Sequence, residues 1–214
     1  MSVFDRIKSA FWETGFIEEL AQHFDQMGVK SSALPHGSPE AIHHTPTFGI
    51  FGNPPIGSLK LYGRSADFVE VYRKPVRGSR GPGQILYSYL YVVRINIGNQ
   101  DDFNASTEPF KKGLLKRETI GFDWKGGRLA SALNSDVELK RSVIEIGFPD
   151  IRVRANKRDG YVGIGAPVRW DTLAVNGVPV KHLLMVGKNL PSRESFDVFD
   201  EIARQVRGLP TSPS

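Results

Sequence analysis

The chain contains no cysteine. That removes disulfide staples, thiolate metal centres and cysteine nucleophiles together, and leaves stability to a packed core. It also lacks any run near the roughly 18 apolar residues that a membrane-crossing helix needs. The first residues, MSVFDRIKSAFWETGF, place Asp5, Arg6 and Lys8 where an export signal would keep an apolar core, so no signal is read there and the cytoplasm is the expected compartment. Catalytic signatures are missing too. There is no H-E-x-x-H, no G-x-S-x-G and no G-x-G-x-x-G after a strand. Gly187-Lys188 resembles the end of a phosphate-binding loop, but Asn189 replaces the Ser/Thr and His182 stands where the leading glycine belongs. The expectation is a protein that binds without performing chemistry and without a cofactor.

What is present is turn chemistry and alternation. The 214 residues include 22 Gly and 14 Pro, and 40% are hydrophobic, a composition suited to many tight turns around a real core. Residues 1–28 read as helix, with Val3, Phe4, Ile7 and Phe11 on one face and Phe16, Ile17, Leu20 and Phe24 on another displaced by about a third of a turn. That displacement predicts two short helices, or one kinked near Glu13-Thr14-Gly15, stopped by Gly28. Residues 29–58 are dense in Pro, Gly and Ser and read as an irregular connection, with room for a short strand at 48–51.

From residue 59 the period becomes two. LKLYG, DFVEVYRK and ILYSYLYVVRINI read as strands, the last with Ile85, Tyr87, Tyr89, Tyr91, Val93, Ile95 and Ile97 on one face. GNQDDFNASTEPF reads as a polar loop and KRETIGFDW as a fourth strand. Ser135 and Glu138 have the spacing of a helix capping box. Asp159-Gly160 and Asn176-Gly177 mark two hairpin turns. Ser192 caps a last helix striped by Phe196, Phe199, Ile202 and Val206 and ended by Gly208. Without a strand-helix-strand rhythm the class is α+β: an antiparallel sheet built from hairpins and packed by N-terminal helices, a middle helix and a C-terminal helix. One domain over 1–214 is expected, with a helical segment at 1–28, the connection at 29–58, the sheet and its helices at 59–207 and a flexible tail at 208–214.

The net charge of +5 is unevenly spread. Residues 57–117 hold 11 Lys/Arg against 5 Asp/Glu, whereas residues 1–56 hold 3 against 6. Clustered cations make the potential that attracts polyanions, and Arg73, Lys74, Arg77 and Arg80 surround a Gly/Pro-rich hairpin tip whose strand carries Tyr87, Tyr89 and Tyr91 as possible stacking faces. The same tyrosines share a face with Ile85, Val93, Ile95 and Ile97, which is the pattern of a row buried in a core. A second candidate set is His36, Glu40, His43 and His44, imidazoles and a carboxylate able to ligate zinc or nickel, in a spacing that matches no metal motif. A third is the aromatic series Phe4, Phe11, Trp12 and Phe16, which could meet a partner protein or a second copy. Its surroundings are acidic, against the basic face that anionic membranes select. The leading expectation is an interaction or scaffold protein that binds another protein or itself. Nucleic-acid binding at the basic hairpin comes next, and a metal enzyme at the histidines last.

Overall fold

A computed structural model describes residues 3–34, 38, 40, 55–76, 84–98, 102–112, 118–147, 150–166, 174–175, 178–179 and 190–210. The fold is α+β, with four helices and an eight-stranded antiparallel sheet among the described residues. In chain order the elements are α1 (Val3–Gln26), β1 (Ser31–Leu34), β2 (Gly57–Leu61), β3 (Phe68–Val76), β4 (Gln84–Arg94), β5 (Ala105–Lys112), β6 (Glu118–Gly126), α2 (Arg128–Ser135), α3 (Val137–Glu145), β7 (Arg152–Asn156), β8 (Tyr161–Gly165), β9 (Ala174–Val175), β10 (Val178–Pro179) and α4 (Arg193–Gly208). The sheet order is β1-β2-β3-β4-β8-β7-β5-β6, and β9 pairs with β10 alone.

The break expected near Glu13-Thr14-Gly15 is absent: the first helix runs unbroken through Gly15, beside which there is open space. Its end is where the sequence places it. Gly28 takes φ +72°, its N–H reaches Asp25 O, and Val29 N–H reaches Phe24 O at 2.8 Å, with both Phe24 and Val29 buried. This is the Schellman arrangement, in which glycine supplies the left-handed residue and an apolar pair seals the turn. Ile17 then lies against Gly57, where a Cβ would come within 2.6 Å of the isoleucine side chain.

All four helices pack on one face of the sheet. Leu20, Phe24, Val69, Tyr91, Trp124, Leu133, Val153 and Phe196 belong to one continuous buried cluster there. The opposite face holds a second buried cluster of Phe68, Tyr72, Leu90 and Val92. The central strands are therefore buried on both sides, and the run FVEVY in β3 accordingly shows little polar alternation. α4 is seated by its Asp200 carboxylate, which accepts from the backbone N–H groups of Ser65 and Ala66 at 2.7 and 3.0 Å, and by Arg207 on Asp67 at 2.7 Å.

Four local readings are corrected. The stretch read as a polar loop contains β5, because Phe103 and Ala105 are buried while Asn104 between them is exposed. The irregular connection begins with β1, which pairs with β2 as a short sheet edge. Residues 128–135 form a helix of their own. The capping box at Ser135 and Glu138 is absent. Asp136 caps α3 instead, accepting from Leu139 N–H at 2.9 Å, and Ser135 Oγ donates back to Ala132 O. An ionised carboxylate at the positive end of the helix is the stronger acceptor. Within α3, Leu139 and Val143 are buried, whereas Val137 is 73% exposed.

Candidate functional site

The register of the sheet places its two long hairpins side by side in direction. Leu90 of β4, Gly165 of β8, Arg152 of β7 and Ser106 of β5 lie level with one another across four strands. From that level β4 continues back to Gln84, paired with Val76, and β5 continues forward to Lys112, paired with Glu118. Both hairpins therefore run six residues beyond the β7–β8 pairing towards the same end of the sheet. That is about 20 Å of strand on each side.

In sequence, the stretches that these two hairpins span are rich in cations. Residues 73–84 contain Arg73, Lys74, Arg77 and Arg80 with no acidic residue, and residues 108–118 contain Lys111, Lys112, Lys116 and Arg117 with only Glu108 and Glu118. Lys74 belongs to β3 and Lys111 and Lys112 to β5, the last two following the bulge at Phe110/Lys111. Arg73 is half-buried at the register position opposite Tyr87. Arg77, Arg80, Lys116 and Arg117, and the side chains of Lys74, Lys111 and Lys112, lie outside the described residues.

The tyrosine row beside this tip is a core row. Tyr91 is fully buried and stacks on Phe199 with ring centroids 4.7 Å apart. Tyr87 stacks on Phe16 of α1 at 3.8 Å, and Tyr89 packs against the same core. Burial pushes the phenols of Tyr89 and Tyr91 well above the ordinary tyrosine range, so both stay neutral. Phe16, a candidate for partner contact, is itself buried by this stacking. The side chains of Phe4, Phe11 and Trp12 lie outside the described residues.

Of the proposed metal ligands, His36, His43 and His44 lie outside the described residues. Glu40 is exposed and accepts from Lys60 Nζ at 2.9 Å, an ion pair that lowers the pKa of Glu40 and raises that of Lys60. Among the described residues no group of three or more His, Asp or Glu converges as a metal site would require.

Two features were not anticipated. Between α3 and α4 lies a cleft of about 520 Å³ walled by Asp136, Glu138, Glu145, Glu194, Asp197 and Glu201. Much of that charge is already answered: Arg204 Nε binds Glu201 at 2.7 Å, Arg193 binds Asp197 at 2.8 Å, and Arg141 bridges Glu138 and Glu145. The second feature is Glu70, fully buried on the sheet face away from the helices. Tyr72 Oη donates to its Oε2 at 2.6 Å, and Oε1 has no hydrogen-bond partner among the described residues. Desolvation raises its pKa to about 8 despite that hydrogen bond, which pulls the other way. The sequence signal for it was legible: a lone Glu in Phe68-Val69-Glu70-Val71-Tyr72 sits in a strand apolar on both faces.

No protein-family model matches the chain, and neither the curated proteins nor the solved structures include one similar to it.

Proposed function

We propose that this is a non-catalytic binding protein that holds the phosphate backbone of a nucleic acid at the basic end of its sheet. The observation that carries the reading is the shared direction of the two long hairpins, whose described strands, with Lys74 on β3 and Lys111 and Lys112 on β5, run to the same end of the sheet. Eight Lys/Arg against two Glu in these stretches form the field that a polyanion meets, and lysine and arginine held on strand ends contact phosphates without reading bases. Because Tyr87, Tyr89 and Tyr91 are packed into the core, base stacking on that row has no part in the reading. Recognition is then electrostatic, tolerant of sequence and sensitive to salt.

The test is fluorescence anisotropy of labelled single-stranded and duplex oligonucleotides with the full chain and with Lys74, Lys111 and Lys112 replaced by glutamine. Binding that weakens at least tenfold in the triple variant supports the reading; equal binding removes it. Anionic lipid vesicles serve as the comparison, and vesicle binding without oligonucleotide binding also counts against it.

A protein-interaction role is favoured by one observation, the α3–α4 cleft. It combines carboxylate walls with an apolar floor of Leu139, Ile146 and Val198, a surface complementary to a basic, partly apolar segment of another protein or of a second copy. Its charge is largely neutralised by Arg141, Arg193 and Arg204, which is why it stands second. Sedimentation velocity at low and high salt tests the self-association form, and a monomer at both salts dismisses it.

A further inference from the structure

Glu70 lies on β3, on the sheet face opposite the helices. It pairs across β3 with Ser58 of β2 on one side and Leu90 of β4 on the other, and Phe68 and Tyr72 flank it on its own strand. All of these neighbours are buried, and the cluster extends to Val92, with Leu34 and Tyr161 packed on it. Among the described residues few charged or titratable groups lie beside Glu70; further across the same face Arg152, paired with Asp150 at 2.9 Å, and Arg154 stand on β7. From β2, Lys60 is held by Glu40 at 2.9 Å. From β4, the Arg94 guanidinium sits 4.4 Å from the Phe68 ring centroid. From β3, Tyr72 donates the one hydrogen bond that Glu70 receives, and Lys74 is four residues further along; from β8 there is Tyr161, at the register position of Arg94. The carboxyl thus has one hydrogen bond, one orphan oxygen and no hydrogen-bonded cation among the described residues. An apolar residue would fill the position at lower cost, and a buried acid with no cation beside it is an arrangement found where a proton is held or released for a purpose.

We infer that Glu70 makes this face of the sheet pH-sensitive, a proton-operated latch in which the neutral carboxyl is tolerated in the closed packing and the ionised one loosens it. The direction follows from linkage. Closed, the group keeps its proton up to about pH 8; opened to water, it keeps it only to the ordinary glutamate value of about 4.5. Between those values the closed state binds one proton more than the open one, so opening becomes up to tenfold easier with each pH unit and levels off above about 8. Tyr72 works against the latch by stabilising the ionised form, and its removal shifts the plateau to higher pH.

The experiment is native-state amide exchange of Phe68–Tyr72 and Leu90–Val92 in the full chain from pH 5 to 9.5, expressed as protection factors, in the wild type, Glu70→Gln and Tyr72→Phe. It is paired with a carbon-13 titration of the Glu70 carboxyl in the wild type, which needs no variant to fold. Expected are protection that falls with pH and levels near 8 in the wild type, a flat profile in Glu70→Gln, and a plateau displaced upward in Tyr72→Phe. Identical profiles in wild type and Glu70→Gln, or a Glu70 carboxyl ionised below pH 5, overturn the inference. Neither outcome touches the nucleic-acid reading, which rests on other residues.

Discussion

Tyr91 lies flat against Phe199, the ring centroids 4.7 Å apart and the planes within 6° of parallel. One pair thereby assigns the whole alternating face of β4 to the interior, because Tyr87, Tyr89, Tyr91 and Val93 share that face and strand side chains alternate without exception along a regular run. Base stacking on that row therefore has no part in the nucleic-acid binding proposed for this hairpin.

The hydroxyl of Tyr91 is buried without a hydrogen-bond partner among the described residues. Tyr91→Phe keeps the stacking and removes an uncompensated polar atom, so it should leave stability unchanged or raise it by about 1 kcal/mol. Tyr91→Ala removes the ring and should cost about 3–5 kcal/mol. Urea denaturation measures both, and a loss above about 1 kcal/mol for Tyr91→Phe would show that the hydroxyl is paired after all.

Asn134 of α2 closes part of the sheet edge. Its side-chain amide accepts from Trp124 N–H at 2.9 Å and donates to Trp124 O at 2.8 Å, doing for β6 what a neighbouring strand would do. Asn134→Ala strips two hydrogen bonds from edge backbone and should cost about 2–3 kcal/mol. It should also promote concentration-dependent association, since an uncovered edge invites pairing. Light scattering together with denaturation checks the two effects, and a monomer of wild-type stability would refute them.

Gly126 turns the chain from β6 into α2 at φ +137°, and a Cβ there would come within 2.2 Å of Asn104 O. The neighbour is backbone and has nowhere to move. Gly126→Ala should therefore destabilise by roughly 2 kcal/mol or more, from a disfavoured dihedral and a steric clash acting together. The same substitution at Gly63 meets open space and should cost only the φ +66° penalty, about 1 kcal/mol, which makes it the internal control.

Alternation and turn residues carried most of the fold into view. β3, β4, β6 and the β7–β8 hairpin announce themselves by period two and by Asp159-Gly160, and Gly28 and Ser192 mark helix ends through glycine's left-handed backbone and a serine cap. β5 was hidden because Ser106, Glu108 and Pro109 look like loop residues, and only Ala105 and the neighbouring Phe103 point inward. α2 was hidden by its shortness. Strand order is not a local property at all: Ser106 lies level with Arg152 through pairing between distant segments, so the common direction of the two basic hairpins follows only from the register. Glu70 differed, since its burial is written in its apolar neighbours on both sides.

Glu70→Gln should also show in global stability. With the folded group raised to about 8 and the unfolded one near 4.5, the wild type loses stability as pH climbs between those values, and at pH 7 the linked cost is about 3 kcal/mol. Glutamine keeps the shape and carries no charge, so the variant should gain most of that amount at pH 7 to 8 and little at pH 4.5. Denaturation at the two pH values gives the comparison, and equal gains at both would mean that shape rather than ionisation is responsible.

The central claim is that cations on two hairpins act together at one end of the sheet. The most direct measurement is the salt dependence of oligonucleotide binding, compared between the wild type and the Lys74, Lys111, Lys112→Gln triple variant. The account predicts a steep linear fall of log binding constant with log salt in the wild type, and a slope shallower by about 2–3 in the variant, one lost phosphate contact per lysine. A wild type without a salt slope, or a slope the triple variant leaves unchanged, would contradict it.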